Sequence, residues 1–89
     1  MRNLAHMPVK GRVAQALITL KGQFGITVDG FIDIKLTRQD LASFVGTTYE
    51  TIFRVINELI QDKMIVVSRK SITIINEEKL LNLTHNLVM

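Results

Sequence analysis

The chain has no cysteine, only two histidines, and no apolar run long enough to span a bilayer. Without cysteine there is neither a disulfide framework nor a thiolate metal site, and a reducing, cytoplasmic compartment is the easier fit. The N-terminal stretch "MRNLAHMPVKGR" lacks the apolar centre of a signal peptide, and with no spanning segment no membrane partner is expected. His6 and His85 lie near opposite ends, no nucleophile has a base partner, and neither a Gly-rich phosphate loop nor metal-ligand spacing occurs. "KGQFG" reads as a helix exit, with too few glycines for a phosphate cradle. Of the acidic pairs, Asp29 and Asp33 straddle a turn, and Glu77 with Glu78 suits a helix start. An enzyme is therefore not expected, nor a cofactor or metal in these residues.

What is present is enough for one domain. Its 89 residues, 47% of them hydrophobic, can build a single core without staples. Eleven basic against eight acidic residues give a net charge of +3, a balance that leans toward a polyanionic partner without requiring one.

Hydropathy periodicity divides the chain into elements. From Pro8 to Phe24, Val9, Val13, Ala16, Leu17, Leu20 and Phe24 form one helical stripe, Pro8 suits the first turn, and Gly22 to Gly25 mark the exit. "ITVDGFIDIKL" then alternates, with Asp29-Gly30 as a turn signal between Ile26, Val28 and Ile32, Ile34, which predicts a short hairpin. Thr37 and Asp40 resemble a capping box ahead of a two-turn helix that buries Leu41, Phe44 and Val45 and stops at Gly46. Thr47 and Glu50 form a second T-x-x-E box before Ile52, Val55, Ile56, Leu59 and Ile60, the stripe of a longer helix. Ile65 to Val67 and Ile72 to Ile75 flank the basic tip Ser68-Arg69-Lys70-Ser71, a second hairpin. Asn76 can cap a short last helix that continues into an apolar tail with Leu80, Leu81, Leu83, Leu87 and Val88.

This order is a winged helix-turn-helix of the α+β class: a three-helix core, two short β-hairpins and a short C-terminal helix. Ala42 is small where two helices would cross, and Gly46 permits the sharp turn between them. An ordinary αα corner would show the same stripes and the same glycine stop. The outward face of the second motif helix separates the two. Glu50, Arg54, Asn57 and Gln61 project away from the core stripe, Phe53 flanks them, and Tyr49 juts from the first turn. Arg can pair with guanine O6 and N7, Glu can accept from cytosine N4, and Tyr or Phe can touch a thymine methyl or pack on sugar.

Each of these residues also has a plainer use. Glu50 can complete a cap with Thr47 and pair with Arg54 one turn on, and a dual role as base reader and holder of Arg54 is expected. Phe53 can pack on a neighbouring chain. Arg69 and Lys70 can be a solvated turn, although a basic wing beside a recognition helix meets phosphate or the adjoining minor groove.

The stretch "LTRQDLASFVGTTYETIFRVINELIQDKMI" resembles the pattern L-T-R-Q-E-L-A-x-x-V-G-x-S/T-x-E-T-x-x-R-x-L of the Crp/Fnr family, the catabolite activator and fumarate-nitrate regulators of bacteria. A looser likeness extends from about Val9 to Leu83. By position, the resemblance makes Glu50 and Arg54 base readers and places Thr37, Arg38 and Gln39 on the phosphate backbone, with Thr48 and Thr51 where further DNA contacts are common. Two residues depart from the family: Tyr49 stands where several members have an Arg or a small or polar residue, and Phe53 where Gly or Ser is frequent. Both remain candidate base contacts.

The resemblance implies a double-stranded, pseudo-palindromic DNA operator, bound by a homodimer whose recognition helices sit roughly 34 Å apart, with RNA polymerase as a further partner. It also implies a sensor domain and a dimerisation helix ahead of this domain. Residues 1–7 are then expected to be the remnant of that linker or helix, residues 8–89 the DNA-binding domain, and the effector a ligand of residues not present here. The competing reading is a winged-helix module that binds protein, kept open by Tyr49, Phe53 and the apolar tail from Leu83 to Met89.

Overall fold

The structure is a computed structural model and describes residues 9–85. Residues 1–7, Pro8 and the tail beyond residue 85, including Leu87 and Val88, lie outside the described residues. The elements run α1 (Val9–Phe24), α2 (Arg38–Val45), α3 (Tyr49–Gln61), β1 (Ile65–Ser68), β2 (Ser71–Ile74) and α4 (Glu77–His85). No helix of the described residues is long and apolar enough to cross a membrane.

The core forms where the stripes of the helices meet. Val13, Leu17 and Leu20 of α1 pack with Leu41 of α2, Ile52, Val55, Ile56 and Leu59 of α3, Ile65 and Ile72 of the hairpin, and Leu80 of α4. Each such side chain, taken fully out of water, contributes about 1.5–3 kcal/mol, so α3, with four of them, is anchored along its whole length. A Lys21–Glu77 ion pair ties the end of α1 to the start of α4, where Asn76 Oδ1 accepts the backbone N–H of Lys79 at 3.1 Å.

The helix-turn-helix is built by local chemistry at both ends of α2. Thr37 Oγ1 accepts the Asp40 N–H at 3.0 Å while the Thr37 N–H donates to Asp40 Oδ2 at 3.1 Å, a complete capping box. At the other end Gly46 takes φ 86°, ψ 42°, and the N–H groups of Gly46 and Thr47 both return to the Ala42 carbonyl. With the Thr47 N–H used there, it is not available to a Glu50 carboxylate, the reciprocal half that a Thr47–Glu50 box needs. The cap of α3 is Thr48, whose Oγ1 accepts the Thr51 N–H at 3.2 Å, so the box expected from Thr47 and Glu50 does not form.

β1 and β2 pair antiparallel, Ile65 with Ile74 and Ser68 with Ser71, and turn at Arg69 and Lys70. The expected first hairpin is reduced to a single bridge, Ile26 with Ile32. Its second half has another partner: the N–H of Ile32 donates to the Ile72 carbonyl at 2.8 Å, and that of Leu36 to the Lys70 carbonyl at 2.9 Å. With those donors engaged by β2 and the turn before it, Ile26 and Val28 are left exposed and Ile32 enters the core.

Two aromatic residues expected in the core are also largely outside it. Phe24 closes α1 with 43% of its surface exposed, and Phe44 is 53% exposed. On α2 the buried stripe is Leu41 and Ala42, and Phe44 instead borders a groove with Arg12, Gln15, Ala16 and Thr19 of α1.

Candidate nucleic-acid interface

The outer face of α3 presents Tyr49, Glu50, Phe53, Arg54 and Asn57 to solvent, while Ile52, Val55, Ile56 and Leu59 on the opposite side are at most 1% exposed. The division follows from the helical period. Tyr49 and Phe53 are one turn apart, as are Glu50 and Arg54, so two columns run up the same exposed face. The Tyr49 and Phe53 rings stack with centroids 6.2 Å apart and planes 24° apart.

Arg54 does not pair with Glu50. Its Nη1 lies 3.3 Å from Glu58 Oε2, on the turn that follows. The cause is tertiary: Lys10 Nζ of α1 sits 3.4 Å from Glu58 Oε1 and 3.6 Å from Asp62 Oδ2, holding the Glu58 carboxylate within reach of Arg54. Glu50 is left exposed with no part in the capping of α3.

Around this face the fold gathers the start of α2 and the hairpin. Thr37, Arg38 and Arg69 line one shallow cleft with Leu36, Leu41, Ile56, Val67 and Ile72, which sets the turn of the wing beside the first residues of α2. Arg38 reaches across to α3, its guanidinium carbon 5.3 Å from the centroid of the Phe53 ring. Its Nε is buried without a hydrogen-bond partner. Gln39 and Lys70 are exposed. Thr48 and Thr51 are joined by a hydroxyl bond of 2.9 Å at the head of α3, so their side chains serve the cap.

Residues that sequence reasoning missed hold this surface in shape. Arg12 Nη2 donates to the carbonyls of Val45 at 2.6 Å and Gly46 at 3.3 Å, bracing the turn between α2 and α3 from α1. Lys10 and Glu58 position Arg54. The i,i+4 spacing marks Glu58 as a local candidate for Arg54, but nothing in the local pattern marks Arg12 or Lys10, whose partners lie more than 30 residues away for Arg12 and across the helix pair for Lys10.

The Crp-like helix-turn-helix domain model matches residues 11–83. The chain is 36% identical over 78 residues to the global nitrogen regulator of Synechococcus elongatus, covering 85% of this chain and 35% of that protein. It is 36% identical over 73 residues to the cAMP-activated global transcriptional regulator CRP of Salmonella typhimurium, covering 81% of this chain and 35% of that protein. Among solved structures, a CRP/FNR-family transcriptional regulator of Thermus thermophilus superposes with a TM-score of 0.81 at 30% identity, over 92% of this chain and 43% of that one. The chain thus spans about a third of the length of these curated relatives.

Proposed function

The chain belongs to the Crp-like helix-turn-helix family, and from that premise we propose that it is the DNA-binding domain of a bacterial transcriptional regulator that lays α3 in the major groove of a specific double-stranded site. The observation that carries this reading is the outer face of α3. Glu50 and Arg54 stand exposed on a helix whose other side is locked into the core, flanked by Arg38 at the start of α2 and by Arg69 and Lys70 on the wing.

The energetics favour release of Arg54 to a base. Its contact with Glu58 is an exposed i,i+4 ion pair, a type that contributes about 0.3–0.5 kcal/mol, whereas a good bidentate contact to guanine is worth about 1–3 kcal/mol of discrimination. Glu50, unpaired with Arg54, is free to accept from cytosine N4. Tyr49 and Phe53 supply the apolar part of the base contact. Thr37, Arg38, Gln39, Thr48, Thr51, Arg69 and Lys70 fix the register on the phosphates. The Thr48 and Thr51 hydroxyls and the Thr51 N–H serve the cap, so at these two residues it is the positive end of α3 as a whole that attracts phosphate.

In the longer regulator this domain acts as one half of a dimer on a pseudo-palindrome, in the cytoplasm and within reach of RNA polymerase. Alone it binds with a Kd of the non-specific range, ~10⁻⁴–10⁻⁶ M. The test is a selection from random double-stranded DNA using the chain dimerised by an N-terminal parallel coiled coil, followed by titration at two salt concentrations. A recovered palindrome with salt-sensitive binding supports the reading. No enriched sequence, with no binding at low salt, overturns it in favour of a protein-binding winged helix.

A further inference from the structure

We propose that the stacked rings of Tyr49 and Phe53, braced by Arg38, read pyrimidine C5-methyl groups and so give the operator thymine at the base pairs they meet. This rests on the placement of α3 in the major groove and goes beyond it in assigning a specificity to the aromatic column.

The rings are not core residues that failed to bury. Stacked at 6.2 Å, they still leave 51% of Tyr49 and 45% of Phe53 exposed, on the same helix face as Glu50 and Arg54. Any partner that reaches Glu50 and Arg54 must therefore also meet the rings. In the major groove the thymine methyl is the one apolar group that projects from a base edge; cytosine has only a C5–H at that position, beside its N4 donor, and the purines present acceptors and, in adenine, a donor. An aromatic ring seated on a donor such as cytosine N4 leaves that group desolvated and unpaired, which is costly, while one seated on a methyl buries apolar surface at no such cost.

Arg38 makes the column rigid. Its guanidinium over the Phe53 ring, 5.3 Å from the centroid, covers one side of that ring. The buried Arg38 Nε makes no hydrogen bond that would draw it away from the ring. Phe53 thus has both Arg38 and Tyr49 against it, and a ring with its rotamer settled before binding loses little entropy on contact. Arg38 acts here as a positioning residue, in addition to its attraction for phosphate.

The experiment takes the operator selected above and replaces each thymine singly by deoxyuridine, which lacks only the methyl. At one or two positions of each half-site binding should weaken ~4-fold, the factor one buried methyl-sized group contributes. Phe53→Ser and Tyr49→Ser should each reduce that discrimination, and the double variant should abolish it. Arg38→Gln should weaken binding to every sequence and, in addition, shrink the thymine-to-deoxyuridine ratio, which loss of a phosphate contact alone would leave unchanged. Thermal melts check that each variant folds. Equal affinity for thymine and deoxyuridine at every position, or discrimination that survives the double variant, overturns the proposal while leaving the DNA-binding reading intact. Failure to select any operator overturns both.

Discussion

The two sides of α3 carry the same helical period and opposite chemistry. Inward, Ile52, Val55, Ile56 and Leu59 are sealed into the core with residues from α1, α2, the hairpin and α4. Outward, Tyr49, Glu50, Phe53 and Arg54 are all exposed, and the contacts they make are an aromatic stack, a cation over a ring and a weak ion pair. The inner side determines whether the helix exists and the outer side what it meets. That separation lets two aromatic residues, Tyr49 and Phe53, stand on the outer side without entering the core.

The sharpest break of this division is Ile52→Ala. It empties a fully buried site and should lower stability by ~2–5 kcal/mol, read by chemical denaturation. Arg54→Ala should do the reverse, leaving stability within about 0.5 kcal/mol and costing ~1–3 kcal/mol on the selected operator, with one base preference relaxed. Unchanged affinity and preference would remove Arg54 from the base contacts. Gly46→Ala tests the turn between α2 and α3, which sets how α3 is presented. A Cβ there sits at φ +86° and 3.3 Å from Arg12 Nη2, so a loss of about 1–2 kcal/mol in stability is expected, accompanied by weaker binding because α3 shifts against α2. Smallest is Lys70→Ala, which should weaken all sequences alike and flatten the salt slope by about 1; an effect confined to one base pair would contradict its phosphate role.

A second contrast bears on how much could be read in advance. "ITVDGFIDI" and "IVVSRKSITI" carry equally good hairpin signals, yet one forms a single bridge and the other a four-residue ladder. The Asp29-Gly30 turn forms, with Gly30 at φ 90°, but the strand after it hydrogen-bonds to β2. Alternation reports that a segment can be extended; it does not say which edge will take its donors. The same limit explains Thr48. Either threonine before α3 could cap it; the cap is Thr48, and the Thr47 N–H, engaged at the end of α2, is not left for a reciprocal bond to Glu50. Phe44 followed the expected spacing, but α2 is eight residues long and its buried stripe is too narrow to include it.

From the residues alone came the helix-turn-helix and its frame: the stripes of α1 and α3, the Thr37–Asp40 box, the Gly46 stop, the basic wing and the exposure of Glu50 and Arg54. These are legible because helical period, cap chemistry and left-handed glycine act between residues at most a few positions apart. Tertiary structure decided the rest. It moved Arg54 from Glu50 to Glu58 by bringing up Lys10, braced the turn with Arg12, laid the Ile32 to Leu36 segment along β2, and set Arg38 over Phe53. Each of those contacts joins groups far apart along the chain or on different elements. Which of several chemically adequate partners a charge or a free N–H takes depends on what packing of the core places beside it.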